Sequence, residues 1–158
     1  MYRNVLIAVD GSEASTAVLA EVPRLADPTG TVTVIEVIDD AGLVITRMGS
    51  TSPAFYASNP DVVDLILDGQ REGASTNLEA ARATLSGLGV SNVETRVCSG
   101  VPGDTIVEEA QRVHASVVVM GSHGRGGFKR AVLGSVADYV LRHLTGTPLL
   151  IVRPTPKD

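Results

Sequence analysis

Apolar residues follow two alternating patterns along this chain. Short, nearly continuous runs rich in Val and Ile occupy Val5–Val9, Thr31–Ile38, Val93–Cys98, Ser116–Met120 and Leu149–Val152. Between them, apolar positions recur at helical spacing. Ala14, Val18, Val22 and Leu25 make a first stripe, and Leu67, Ala74, Leu78, Ala81, Leu85 and Leu88 a second. Ile106, Val107 and Ala110 make a short third, and Val136, Val140 and Leu144 a fourth. Runs of the first kind fit strands buried on both faces; stripes of the second kind fit amphipathic helices. Five strands alternating with four helices predict an α/β fold, a parallel sheet with helices on both faces joined by right-handed crossovers.

Gly and Pro set the expected boundaries. Gly87 and Gly89 end the second helix, and Gly146 with Pro148 ends the fourth. Pro102-Gly103-Asp104 opens the third, with Asp104 a candidate cap. Pro23 falls inside the first stripe, where it removes a hydrogen bond and clashes with the carbonyl of Leu19, so the first helix either kinks there or ends by Val22. Residues 41–60 hold Arg47 as their only charge, with Gly42, Gly49, Pro53 and Pro60, and are expected to form a long variable loop. Phe55 and Tyr56 near its tip either pack over a ligand or anchor the loop to the body or to a second subunit. No internal repeat or linker is evident, and residues 1–158 are expected to form a single domain.

Composition narrows the function classes. With 44% hydrophobic residues, the 158-residue chain can build a core without staples. Cys98 is the only cysteine, which excludes an intramolecular disulfide and any C-x-x-C pair; within its strand it is expected to be a small buried residue. A formal charge of −5 and 3% aromatics argue against a nucleic-acid partner, which needs a basic face or a stacking platform. Met1–Asn4 runs straight into Val5–Val9, too short for a signal h-region, and no stretch reaches the ~20 apolar residues of a membrane span. A cytoplasmic protein without a membrane partner is expected.

The chemistry concentrates late in the chain. The strand Ser116–Met120 feeds Gly121-Ser122-His123-Gly124-Arg125-Gly126-Gly127, and the segment continues to Leu133-Gly134-Ser135-Val136 at the start of the last helix. Glycines let backbone N–H groups approach an anion, and a helix N-terminus adds unpaired amides and a favourable dipole. Ser135 fits an N-cap, its hydroxyl bonding either the helix or a phosphate oxygen. Two readings stand: a phosphate cradle flanked by Arg125, Lys129 and Arg130, or glycines that shape a turn beside a solvated basic face. The G-x-x-x-x-G-K-[ST] of a P-loop is missing, and so is a G-x-G-x-x-G after the first strand.

Gly121, two residues, Gly124, nine residues, Gly134 and Ser135 match the glycine signature of the universal stress protein family, which the chain resembles along its whole length. Val5–Asp10 with Gly11-Ser12 resembles the family's opening strand and turn, Val34–Asp39 its second strand, and Leu133–Val152 its closing helix and strand. The resemblance implies a three-layer αβα sandwich of strand order 3-2-1-4-5, Rossmann-like and related to the adenine nucleotide alpha hydrolases. It also implies bound ATP. Val37 would meet the adenine through its backbone, and Ala8, Val9 and Asp10 would line the ribose and phosphates. Met120, Gly121 and the adjoining Ser122 would lie beneath the ribose and α-phosphate. Gly124, Arg125, Gly134, Ser135 and Val136 would lie along the phosphate chain. In that order the ends of strands one and four face one crevice, where ligands of open α/β sheets bind. Asp10 either makes the turn before Gly11-Ser12 or ligates Mg²⁺ or Mn²⁺ on the phosphates; different oxygens permit both.

No side chain stands out as a general base. His123 is the only histidine of the glycine loop, while His114 and His143 are expected to face solvent or complement helix C-termini. The expected function is therefore an ATP-binding module and nucleotide-dependent switch in a stress response. A slow ATP hydrolase and a dimeric interaction protein with a structural nucleotide are the alternatives. Leu149–Val152, an apolar edge, is expected to pair with its mate in a homodimer.

Overall fold

The computed structural model describes residues 1–49, 53–122 and 133–153. Five strands form one sheet: β1 (Tyr2–Val9), β2 (Ala26–Ile38), β3 (Val93–Ser99), β4 (Val117–Gly121) and β5 (Leu149–Val152). Their order is β3-β2-β1-β4-β5, and every neighbouring pair is parallel. The chain runs outward from β1 to β3 and then returns to the far side of β1 for β4. The order therefore reverses between β1 and β4.

Although the strands read as continuous apolar runs, each one alternates between two cores. Val5, Ile7 and Val9 of β1, Val32 and Val34 of β2, and Val117 and Val119 of β4 face one side. There they meet α1 (Glu13–Leu19), α2 (Val22–Leu25) and α5 (Pro60–Gly87) through Val18, Leu19, Val22, Leu78, Ala81 and Leu85. Leu6, Ile35, Val118 and Met120 face the other side. They meet α6 (Pro102–Arg112) and α7 (Ser135–His143) through Ile106, Ala110, Ala137 and Val140. Three layers result, as the resemblance implied.

Seven helices lie among the described residues, against four expected. The first stripe is split. α1 ends at Leu19, and Pro23 sits in the first turn of a separate α2, where its missing N–H interrupts no ladder bond. Residues 41–60 are not a plain loop, since α3 (Ala41–Arg47) and α4 (Pro53–Ser58) lie within them. The Asp40 carboxylate caps α3 by accepting from the Leu43 amide at 2.8 Å. Phe55 packs with Val44, Ile45 and Val63 in a third, smaller apolar cluster, so it anchors this segment to α5. The side chain of Tyr56 falls outside the described residues.

Two caps differ from expectation. Asp104 lies in the first turn of α6, behind a Val101 N-cap that makes no side-chain cap bond, and it accepts instead from the Tyr139 hydroxyl of α7. Ser135 is the first residue of α7, and Gly134 holds the N-cap position with no side-chain bond. His114, with φ 49°, follows the end of α6, and the Ala115 amide reaches back to the Ala110 carbonyl at 2.8 Å. His143 sits in the last turn of α7, its Nδ1 2.8 Å from the Tyr139 carbonyl and its ring stacked on that tyrosine.

Candidate functional site

At the C-terminal edge of the sheet, β1 and β4 end side by side, with Ala8 paired to Met120. On the other side of β1, Ala8 pairs with Ile35 and Val9 with Glu36, which sets Val37 level with Asp10. Ala8, Val9, Asp10, Val37, Met120, Gly121 and Ser122, which come from three separate parts of the sequence, thus share one edge. Met120 is buried in the α6–α7 core, and Val37 packs at its margin.

The turn after β1 is tightly specified. Asp10 Oδ1 accepts from the Ser12 amide at 3.0 Å, and the Asp10 amide donates to Ser15 Oγ at 3.3 Å. The Ser12 hydroxyl then caps α1 by accepting from the Ser15 amide at 3.2 Å, a bond that typically stabilises a helix by about 1 kcal/mol. Gly11 takes φ +73°, a left-handed conformation that side chains resist. The turn reading of Asp10 therefore holds for one of its oxygens.

Gly121 has a packing role of its own. A Cβ built on it would lie 3.1 Å from the Ala14 carbonyl carbon and oxygen, so its bare backbone lets the first turn of α1 approach the end of β4. Ser122 is 1% exposed, and its amide extends the β4–β5 ladder by donating to the Val152 carbonyl at 2.9 Å. Its carbonyl in turn accepts from the Gly134 amide at 2.8 Å. That bond brings Gly134, Ser135 and the half-buried Val136 back to the strand that the glycine segment leaves. The segment between them, with Gly124, Arg125, His123, Lys129 and Arg130, lies outside the described residues.

Carboxylates dominate the described part of this edge. Asp10, Glu36, Asp39 and Asp40 lie at the ends of β1 and β2 or just beyond them. Arg47 of α3 pairs with Asp39 Oδ1 at 3.0 Å. Gln70 of α5 accepts from the Asp39 amide at 2.9 Å and donates to Asp39 Oδ2 at 3.2 Å. Asp39, only 6% exposed, thereby ties α3 and α5 to the end of β2. Glu36 is 3% exposed and held by Asn77 of α5. Neither group was read from the sequence. The signal for Glu36 was a single charge inside the apolar run Thr31–Ile38. Asp39, Gln70 and Asn77 left none, because their pairing depends on how α5 lies against the sheet.

Among the described residues, no group of three or more His, Cys, Asp or Glu side chains is placed to hold a metal ion. A hard divalent cation here would take one carboxylate, Asp10, and complete its shell with ligand oxygens and water. Cys98 is half-buried rather than buried as its strand position implied, because β3 lies at the edge of the sheet. Burial first, and the Glu109 carboxylate second, push its pKa up to about 11. No described helix is long and apolar enough to cross a membrane.

An open parallel sheet whose order reverses between two strands, with a glycine-rich segment leaving one and a tight Asp-Gly-Ser turn leaving the other, defines a class of α/β proteins that bind ligands at the reversal. The model of the universal stress protein family matches residues 1–153, and the chain belongs to that family. It is 28% identical over 158 residues to universal stress protein MJ0531 of Methanocaldococcus jannaschii, covering 100% of this chain and 86% of that protein. Its fold is similar to that of a universal stress protein solved in complex with cAMP, at 22% identity and a TM-score of 0.64, over 96% of this chain and 97% of the other. It is also similar to the universal stress protein from Archaeoglobus fulgidus in complex with dAMP, at 22% identity and a TM-score of 0.57, over 96% and 98%.

Proposed function

We propose that this universal stress protein binds an adenine nucleotide, ATP with Mg²⁺ or Mn²⁺, in the crevice between the ends of β1 and β4, and that occupancy switches its conformation or partner choice in a stress response. The observation that carries the reading is the bond from the Gly134 amide to the Ser122 carbonyl. It joins the end of β4 to the start of α7, so that the N-terminus of α7 and the Asp10 turn belong to one edge. Two structures of similar fold hold cAMP and dAMP, which supports the adenine part of the reading. The triphosphate part rests on the glycine motif: Gly121, Gly124, Gly134 and Ser135 would give backbone amides to a phosphate chain, with Arg125 beside it. In this pose Val37 reads the adenine edge with its backbone, and Ala8, Val9 and Met120 line the sugar.

The described carboxylates favour a cation with the nucleotide. An anionic phosphate chain beside Asp10 is repelled unless positive charge intervenes, and Asp10 with phosphate oxygens forms the usual Mg²⁺ arrangement. Backbone amides and one metal hold ground state and transition state about equally, which gives affinity without rate. The protein is thus a binder first, and at most a slow ATP hydrolase. Mass analysis of the nucleotide that co-purifies with the protein tests this reading: intact ATP is expected, and a guanine nucleotide as the main species contradicts it.

A homodimer through β5 is the accompanying assembly, with the nucleotide structural if dimerisation alone is the function. The two sheet edges differ in a way that favours it. β3 exposes Glu94 and Arg96, charges that discourage edge-to-edge pairing, whereas Leu149–Val152 of β5 is uncharged and half-buried.

A further inference from the structure

One strand carries a charged side chain into the body of the molecule. Glu36 lies on the β2 face shared by Val32 and Val34, toward α5, and is 3% exposed. The Asn77 amide nitrogen donates to both of its oxygens, at 3.1 and 3.0 Å. The same amide meets the turn after β1: a Cβ built on Gly11 would lie 2.5 Å from Asn77 Nδ2 and 3.0 Å from Oδ1. The turn backbone therefore rests on an amide that a buried carboxylate holds in one orientation.

Stability alone gives little reason for such a pair. Taking a carboxylate out of water is costly even when it is hydrogen-bonded, and apolar residues of similar volume often serve a core as well or better. Position gives a reason. The turn in contact with Asn77 carries Asp10, whose Oδ1 accepts from the Ser12 amide within that turn. A glycine there has wide conformational freedom, and a rigid contact restricts it. An apolar side chain at position 77 would fill the space without a defined orientation, whereas two hydrogen bonds to one carboxylate define it.

We infer that Asn77, oriented by Glu36, is a positioning residue for the Asp10–Gly11–Ser12 turn and sets the geometry in which Asp10 meets a nucleotide-bound divalent cation. The contact is independent of any ligand; the consequence for the cation rests on the nucleotide reading above.

The test uses Asn77→Ala and Glu36→Gln in the full chain, each checked for folding by circular dichroism and thermal melting. The first readout is amide hydrogen exchange at Ser12 without nucleotide. Asn77→Ala is expected to speed it about tenfold while the β4 amides stay protected, a local opening rather than a global one. Glu36→Gln, which keeps an accepting oxygen for Asn77, should show a smaller change of the same kind. The second readout is ATP affinity by calorimetry in Mg²⁺ and in excess chelator. Asn77→Ala should lose about tenfold in Mg²⁺, the scale of one charge-assisted contact, and much less in chelator. Unchanged Ser12 exchange in both variants overturns the inference, and so does an equal loss of affinity in the two buffers. If Asn77→Ala does not fold, the isosteric Glu36→Gln decides on both readouts. If the unaltered protein binds no adenine nucleotide, the functional reading has failed, and the exchange data alone decide whether Asn77 positions the turn.

Discussion

The backbone amide of Gly134 donates to the carbonyl oxygen of Ser122 at 2.8 Å. Residues 123–133 lie between them, yet this bond makes the end of β4 and the start of α7 a single junction. The Gly134 backbone is extended, at φ −62° and ψ 152°, so other residues can adopt it without strain. Glycine at this position is therefore not demanded by the backbone, which leaves room for a ligand as its reason under the proposal.

Gly11 is the opposite case. Its φ of +73° and the 2.5 Å approach to Asn77 Nδ2 both oppose a side chain. Because Glu36 holds Asn77, the amide cannot simply swing aside. Gly11→Ala should lower the unfolding free energy by about 2 kcal/mol, of which the left-handed backbone accounts for about half. Urea denaturation measures it, and a loss below about 0.5 kcal/mol, the range of ordinary surface changes, contradicts the packing described.

Asp10→Asn separates the two roles of that residue. Asparagine keeps an oxygen for the Ser12 amide, so the turn and α1 should remain and the melting temperature should change little. The negative charge is lost. ATP binding in Mg²⁺ or Mn²⁺ should weaken by about tenfold or more, as expected for one charged ligand, with little change in chelator. A drop of the same size in both buffers would assign Asp10 to the turn alone.

The Cys98 thiol is expected to be inert at neutral pH. Burial and Glu109 push its pKa from the ordinary 9.0 up to about 11, so the reactive thiolate is scarce below that range. Alkylation by iodoacetamide under native conditions should rise with a midpoint near pH 11. The stability effect has a definite sign. The unfolded thiol ionises first, so stability is complete below about pH 9 and declines as pH rises toward about 11. Cys98→Val should remove that part of the decline. Rapid alkylation of the native protein at pH 8 would contradict the half-buried setting beside Glu109.

The fold was legible because the inner strands β1, β2 and β4 are buried on both faces, which gives nearly continuous apolar runs such as Val5–Val9. Strand positions and the parallel class follow from that pattern, whereas the order β3-β2-β1-β4-β5 came from the resemblance carried by Gly121, Gly124, Gly134 and Ser135. Residues 41–60 misled because their low charge and their glycines and prolines read as a loop. Asp40 nonetheless caps α3, and Val44, Ile45 and Phe55 find a small core against Val63 of α5. Pro23 was correctly a boundary, but that a second helix begins there depends on its acceptance in a first turn. At the site, the strand-end positions of Ala8, Val9 and Met120 were legible from the sequence, whereas their roles toward a ligand came from the resemblance. The supporting pairs were not: Asn77 meets Glu36 across 41 positions, and Gln70 meets Asp39 across 31. No local pattern encodes such distances.

The central claim is that the β1–β4 crevice binds an adenine nucleotide through the glycine segment. Calorimetric titration of the purified, nucleotide-stripped protein with ATP and with GTP, each with Mg²⁺, and in parallel of Gly134→Val, tests it most directly. The account predicts that ATP binds about tenfold tighter than GTP or better, since a backbone edge that bonds one base leaves polar groups unpaired with the other. It also predicts that Gly134→Val folds but loses ATP binding, its side chain occupying space meant for phosphate. Equal affinity for the two nucleotides, or full ATP affinity in the valine variant, would contradict it.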